Sequence, residues 1–234
     1  MYKFSNLVKA QYLSRPNRFI ILARLNDNSI VKVHTNNTGT MKTCLEEGAD
    51  VRLSPAQNPN RKTKFDFEMI KIGGNWIGLN TLIPNKLVKN WIENNQIEQL
   101  TGYNEIIPEH KIGNSRLDLL LKNATSETRT NCYIEIKNVT YNDGGIARFP
   151  DAQTTRGQKH LRELIALKNQ GERAIMFYVI QRVDVSSFAP ASRIDPEYSR
   201  LFQKAVELGV EIFVPQVKVT PELIELKQFL PFSF

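Results

Sequence analysis

The sequence predicts an α/β (α+β) chain in two parts: a small basic β-barrel at 1–82, then a mixed α/β domain at 83–234 whose central sheet is flanked by helices. Three observations carry this reading. Short apolar runs broken by turns fill residues 11–82, helical spacing first appears after Pro84, and strands alternate with helices from there on. The charge is also divided unequally: residues 1–82 hold 12 Lys and Arg against 6 Asp and Glu, whereas 83–234 hold 19 against 18. Nearly all of the net +7 therefore lies in the first third. A basic unit joined to a neutral one suggests a footprint for a polyanion carried apart from the chemistry.

In the first part, Phe19 to Leu25 and Ser29 to His34 flank the turn Asn26-Asp27-Asn28, a hairpin signal. Further strands are expected at Ala49 to Ser54, Phe65 to Ile72 and Trp76 to Leu79, the last two parted by Gly73-Gly74. About five strands in roughly 70 residues with a basic surface suit an OB-like barrel, with an SH3-like barrel close behind. Pro84 opens a helix with Leu87, Val88, Trp91 and Ile92 at helical spacing. The expected order is helix 85–97, strands 105–112, 116–122 and 132–140, helix 155–170, strand 174–182, helix 196–208, strand 210–214 and a final helix 221–229. Thr154 or Thr155, Asp195-Pro196 and Thr220-Pro221 supply start signals, and Gly171 and Gly209 supply stops. Asn123 to Asn131 reads as a polar hairpin loop.

Several classes are disfavoured. No run of 18 apolar residues exists, and Met1-Tyr2-Lys3-Phe4-Ser5-Asn6 lacks the pattern of a signal peptide, which predicts a cytoplasmic protein without a membrane partner. Cys44 and Cys132 are far apart, with no metal-site spacing, so two reduced buried thiols are expected. His34, His110 and His160 have no Ser or Cys nucleophile beside them, and no P-loop or G-x-G-x-x-G motif is present.

The chemistry concentrates in two apolar strand-like runs. Arg116-Leu117-Asp118-Leu119-Leu120-Leu121 carries one acid, and Tyr133-Ile134-Glu135-Ile136-Lys137 carries an acid and a lysine two residues apart. On a strand, Glu135 and Lys137 share a face while Ile134 and Ile136 take the other. Ionised carboxylates in such runs need partners, and a hard divalent cation is a natural one. Asp118 and Glu135 as Mg²⁺ or Mn²⁺ ligands, with Lys137 beside an attacked phosphate, would suit phosphodiester hydrolysis. The bare pattern also fits a cross-strand ion pair on a wet face. Glu109 is a candidate third carboxylate, with Glu93 and Glu98 as competitors.

Basic groups surround these runs. Arg15, Arg18, Arg61 and Lys62 suit phosphate contacts, and His34 and Asn36 begin a polar, glycine-containing loop. Gly144-Gly145, Arg116, and the helix start with Arg156, Lys159 and His160 extend the expected phosphate surface.

The chain resembles the sugar fermentation stimulation protein A family over nearly its whole length. The resemblance rests on Arg15-Pro16-Asn17-Arg18-Phe19, His34-Thr35-Asn36-Asn37-Thr38-Gly39, Arg61-Lys62-Thr63, Ser115-Arg116-Leu117-Asp118, Glu135-Ile136-Lys137-Asn138-Val139-Thr140, Phe149-Pro150-Asp151-Ala152, Thr155-Arg156-Gly157-Gln158-Lys159-His160 and Gly209-Val210-Glu211. It implies an OB-like domain followed by a restriction-endonuclease-like domain of the PD-(D/E)xK type. It further implies DNA as the partner, bound without sequence choice, and catalytic places for Asp118, Glu135, Lys137 and Glu109. Thr155 stands where the family usually has Glu, and Thr40 where Arg is common. The resemblance leaves open a non-catalytic DNA-binding regulator linked to sugar (maltose) metabolism. An RNA-binding role and a homodimer are also open.

Overall fold

The computed structural model describes every residue except 59, 114 and 124–129. Most of the hairpin loop expected at 123–131 thus lies outside the described residues. After β1 (Tyr2–Lys3) come β2 (Val8–Asn17), β3 (Ile20–Leu25), β4 (Ile30–His34), β5 (Asp50–Pro55), β6 (Phe65–Ile72) and β7 (Asn75–Gly78). Strands β2 to β6 close into a barrel: β3 lies between β2 and β4, β5 between β2 and β6, and β4 meets β6 in a short parallel pairing. This is an OB-like ring, and its filling follows the two-residue period of a strand. Ala10, Tyr12, Ile21, Ala23, Val33, Val51, Leu53 and Phe67 pack inside, while Lys9, Gln11, Arg24 and Lys32 are exposed. Strand β2 was not legible as a strand, because only Ala10 and Tyr12 of its ten residues are buried.

The second part runs α1 (Ile83–Glu93), β8 (Glu105–Ile112), β9 (Ser115–Lys122), β10 (Cys132–Val139), β11 (Tyr141–Asp143), β12 (Ile146–Phe149), α2 (Thr155–Asn169), β13 (Arg173–Ile180), β14 (Ser187–Pro190), α3 (Pro196–Glu207), β15 (Glu211–Phe213), β16 (Pro215–Val219) and β17 (Leu223–Phe229). Its main sheet has the order β1-β17-β16-β13-β10-β9-β8, with β15 also on β13. Pairing is parallel at the centre, β10 with β13 and β13 with β16, and antiparallel towards both edges. A small sheet, β11-β12-β14, stands beside it. Ile134, Ile136, Ile175, Phe177 and Val179 face Leu87, Val88 and Trp91 of α1. Val139, Met176, Tyr178 and Ile180 face Leu161, Leu164, Leu201 and Phe202 of α2 and α3. Strand β13, covered on both sides, is accordingly apolar along nearly its whole length.

Two start signals act as the sequence predicts. Thr154 Oγ1 accepts the Gly157 N–H, and Asp195 accepts the Tyr198 N–H ahead of Pro196. The expected helix 221–229 is corrected: residues 221 and 222 lie in a turn and Leu223–Phe229 form strand β17. Thr220 Oγ1 accepts from the Leu223 N–H in a tight turn, and β17 then runs antiparallel to β16 with Ile224 opposite Val219. Thr-Pro opens turns as well as helices, and here the free edge of β16 decides between them. The expected strand 210–214 corresponds to β15, and β16 lies wholly beyond it.

The barrel is seated at the carboxyl ends of β10 and β13. Gly78 N–H donates to the Gln181 carbonyl at 3.0 Å, and a Cβ on Gly78 would lie 2.3 Å from Gln181 Oε1. A Cβ on Gly39 would likewise lie 2.5 Å from Asp151 Oδ2. A side chain at either position would have to displace Gln181 or Asp151 at the seam. Among the described residues no helix is long and apolar enough to cross a membrane.

Candidate functional site

The β9–β10 ladder runs from Leu121–Cys132 to Leu119–Ile134 and stops there. One residue further, Asp118 Oδ2 accepts the Ile136 N–H at 2.7 Å, in place of a carbonyl across the ladder. Asp118 Oδ1 accepts from Asn85 Nδ2 at 2.8 Å, reaching from the first turn of α1. On the other side, the β8 register passes from Pro108–Leu119 to His110–Leu117, skipping Glu109 and Asp118, and Glu109 has φ 55°. Leu117 packs in the α2/α3 layer, whereas Leu119 and Leu121 pack in the α1 layer. The register is the same on both sides of this gap, so each strand leaves one residue unpaired, and β9 changes its facing at Asp118.

Glu135 and Lys137 point towards α2, as the alternation predicts. The ion pair of the plainer reading does form, Lys137 Nζ to Glu135 Oε1 at 2.6 Å, but it is buried, with the two side chains 12% and 3% exposed. His160 Nδ1 contacts the same Glu135 oxygen and lies 3.1 Å from Lys137 Nζ. Among the described residues, Glu135 Oε2 is buried without a hydrogen-bond partner. Burial favours the neutral acid at Glu135, yet Lys137 and then His160 together outweigh it and hold the carboxyl below its usual range. Asp118 goes the opposite way: burial, then the Glu135 charge, push it up to about 6.

The pair is electrostatically incomplete, since a second carboxylate is forced beside one already carrying the available ammonium. Hard oxygen donors with an open buried lone pair fit a small divalent cation. Among the described residues no set of three or more His, Cys, Asp or Glu side chains converges. Two carboxylates would therefore hold the ion, with a backbone carbonyl, water and substrate phosphate completing the shell, as is usual for Mg²⁺.

The acids lie in a cleft of about 620 Å³ between the barrel and the sheet, lined by Arg18, Asn36 and Gly39 on one side and Arg148, Asp151 and Arg156 on the other. Its position, outside the carboxyl ends of parallel strands, is where open α/β sheets place ligands.

Several sequence-predicted residues sit elsewhere or do other work. Arg15 donates to the carbonyls of Gly39, Thr40, Arg18 and Asn37, clamping the 37–40 loop. Arg61 and His34 both bind Asp66, so Asp66 already answers these two barrel side chains. Asn36 binds Asn80 and the Thr81 N–H, joining barrel to α1. His160, expected at the phosphate surface, is 3% exposed and sits against Glu135 rather than on the cleft wall. Glu109 lines the cleft but its carboxylate faces Arg116 at 3.6 Å. Arg18 and Arg156 line the cleft; Lys62 is exposed, and Lys159 lies 3.8 Å from Glu163. Glu93 pairs with Lys89 on the helix surface. Gly144-Gly145 forms the β11–β12 turn rather than a phosphate cradle. Thr40, where Arg is common, binds Asp151 across the seam.

Asn85, Arg148 and Asp151 were not anticipated. Asn85 carries no signal beyond following Pro84, and Asp151 acquires its role only when Gly39, Thr40 and Met41 arrive from the barrel.

Residues 13–79 match the family model described as the SfsA N-terminal OB domain, and residues 82–223 match the one described as the sugar fermentation stimulation protein RE domain. The sugar fermentation stimulation protein homolog of Geobacter sulfurreducens is 46% identical over 226 residues, covering 96% of this chain and 95% of that protein. The homolog of Geotalea daltonii is 45% identical over 232 residues, covering 99% of each. The solved structure of Pyrococcus furiosus SfsA in complex with Ca²⁺ superposes with a TM-score of 0.89 at 28% identity over the full length of both chains. The chain belongs to the sugar fermentation stimulation protein family.

Proposed function

We propose that this member of the family is a DNA-binding protein with a metal-dependent, nuclease-type phosphodiester-hydrolysing site. Asp118 and Glu135 are the metal ligands and Lys137 is the catalytic ammonium. The observation that carries the reading is the unpaired, buried Glu135 Oε2 beside an Asp118 pushed up to about 6. The Pyrococcus furiosus relative was solved with Ca²⁺, a hard, oxygen-seeking cation, which supports a cation of that class here. Mg²⁺ or Mn²⁺ is the expected working ion. When bound, such an ion polarises a phosphate oxygen and lowers the pKa of its water.

The chain's own residues do the rest. Asn85 and the Ile136 N–H fix both oxygens of Asp118. Lys137, two residues from Glu135 on the same face, is placed to meet charge developing on a phosphate in the cleft. Glu109, at the same cleft with Arg116, is assigned a supporting role. Arg18 and Arg156 line the walls and supply affinity without base choice, with Lys62, Lys159 and Arg116 extending the basic surface. Supercoiled plasmid incubated with Mn²⁺ tests the reading: wild type should nick it and Glu135→Gln should not. Equal inactivity of the two would overturn hydrolysis.

One observation favours a second reading, a DNA-binding regulator that keeps the scaffold without turnover. Lys137 Nζ is already tied to Glu135, which suits a resting or permanently silent centre. That reading requires salt-sensitive DNA binding by wild type and Asp118→Asn alike, with no cutting by either.

A further inference from the structure

Lys137 and His160 converge on a single Glu135 oxygen, and they reach it in different ways. Lys137 arrives on a flexible stem from the same strand. His160 arrives from α2, and the entry of that helix is fixed several times over. Thr154 Oγ1 accepts the Gly157 N–H at 3.0 Å, Thr154 N–H donates to Asp195 Oδ2 at 2.9 Å, and Gln158 donates to Asp195 Oδ1 at 2.9 Å. Gly157 lies so close to α3 that a Cβ there would sit 3.0 Å from the Tyr198 ring. The imidazole is therefore presented by a rigid frame, 3% exposed and behind the carboxylate as seen from the cleft.

We propose that His160 is a positioning residue of the metal centre: its Nδ1–H holds Glu135 Oε1 from behind and leaves Oε2 open to the cation. The inference rests on the proposed metal centre. It also gives Lys137 freedom to act. If Lys137 alone held Glu135, its departure towards a phosphate would release the carboxylate; with His160 in place, Glu135 keeps its orientation. Partners of this kind behind a ligand tune metal affinity strongly, because an unheld carboxylate must be ordered each time the ion binds.

Calorimetric titration of the full chain with Mn²⁺ tests this, using wild type, His160→Ala, His160→Asn, His160→Gln and Glu135→Gln. Asn places an amide N–H near the Nδ1 position, whereas Gln fills the space but carries its donor further out. His160→Ala and His160→Gln should each weaken Mn²⁺ binding by roughly 10–100-fold. His160→Asn should recover most of the affinity, and Glu135→Gln should abolish binding. If His160→Ala does not fold, the contrast between Asn and Gln decides. Wild-type affinity in His160→Gln, with binding lost in Glu135→Gln, overturns the assignment and leaves the metal centre standing. Absence of Mn²⁺ uptake by wild type overturns both.

Discussion

Two charged clusters lie near the carboxyl end of β10, and they are built on opposite plans. Arg182, 3% exposed, donates from Nε and Nη2 to the two oxygens of Asp184, each at 2.7 Å, and from Nη1 to the Thr140 carbonyl at 2.6 Å. Thr43 and Cys44 of the barrel stand against the same nitrogen. Each of its three nitrogens has a partner, and the result ties barrel to sheet. Glu135 has one oxygen used twice and the other not at all. Leaving a buried acceptor unpaired costs about 1–3 kcal/mol, and proteins tolerate such a cost chiefly where a ligand will cancel it. The closed cluster is architecture; the open one is the site proposed above.

The largest effect should come from opening the closed cluster. Arg182→Met removes the cation from between Asp184 and the Thr140 carbonyl and should cost up to about 3 kcal/mol in urea unfolding. A loss below about 1 kcal/mol would place both clusters in one class. Closing the open cluster should give the next largest effect. Mn²⁺ at about 100 times its dissociation constant should add about 2.7 kcal/mol to wild type. Thermal melting should show the same increment in Arg182→Met and none in Asp118→Asn.

Without metal, Asp118 should itself be destabilising. Its folded pKa of about 6 lies above the unfolded 3.8, so the fold binds this proton more tightly than the unfolded chain does. The contribution is fully present below about pH 4 and is lost as pH rises through about 6. In chelator at neutral pH, Asp118→Asn should therefore be more stable than wild type, by about 1–2 kcal/mol. The two should converge in acid, and parallel stability curves would contradict the shift. The smallest effect belongs to the cleft wall: Arg156→Ala should leave unfolding unchanged and flatten the salt dependence of DNA binding by roughly 0.9 log unit per log unit of salt. An unaltered slope would remove Arg156 from the phosphate path.

What was legible in the sequence was whatever depends on local period. Glu135 and Lys137 share a face because strands alternate, and Asp118 stands out because it interrupts leucines. The barrel was readable from four of its five ring strands, while β2 was hidden by its exposed positions. The remainder depends on partners distant in the chain. His160 looked like a surface cation at a helix start, since nothing local says that α2 turns it inward onto β10. Arg15 and Arg61 looked like phosphate contacts, since the carbonyls of the 37–40 loop and the Asp66 carboxylate reach them only after folding. Strand β17 looked helical because its identity is decided by β16.

The most direct test of the central claim is an electron paramagnetic resonance titration of Mn²⁺ against wild type, Asp118→Asn and Glu135→Gln. The free-ion signal should be quenched by wild type and persist with either variant. Equal quenching by all three proteins would mean that Asp118 and Glu135 do not form the metal centre.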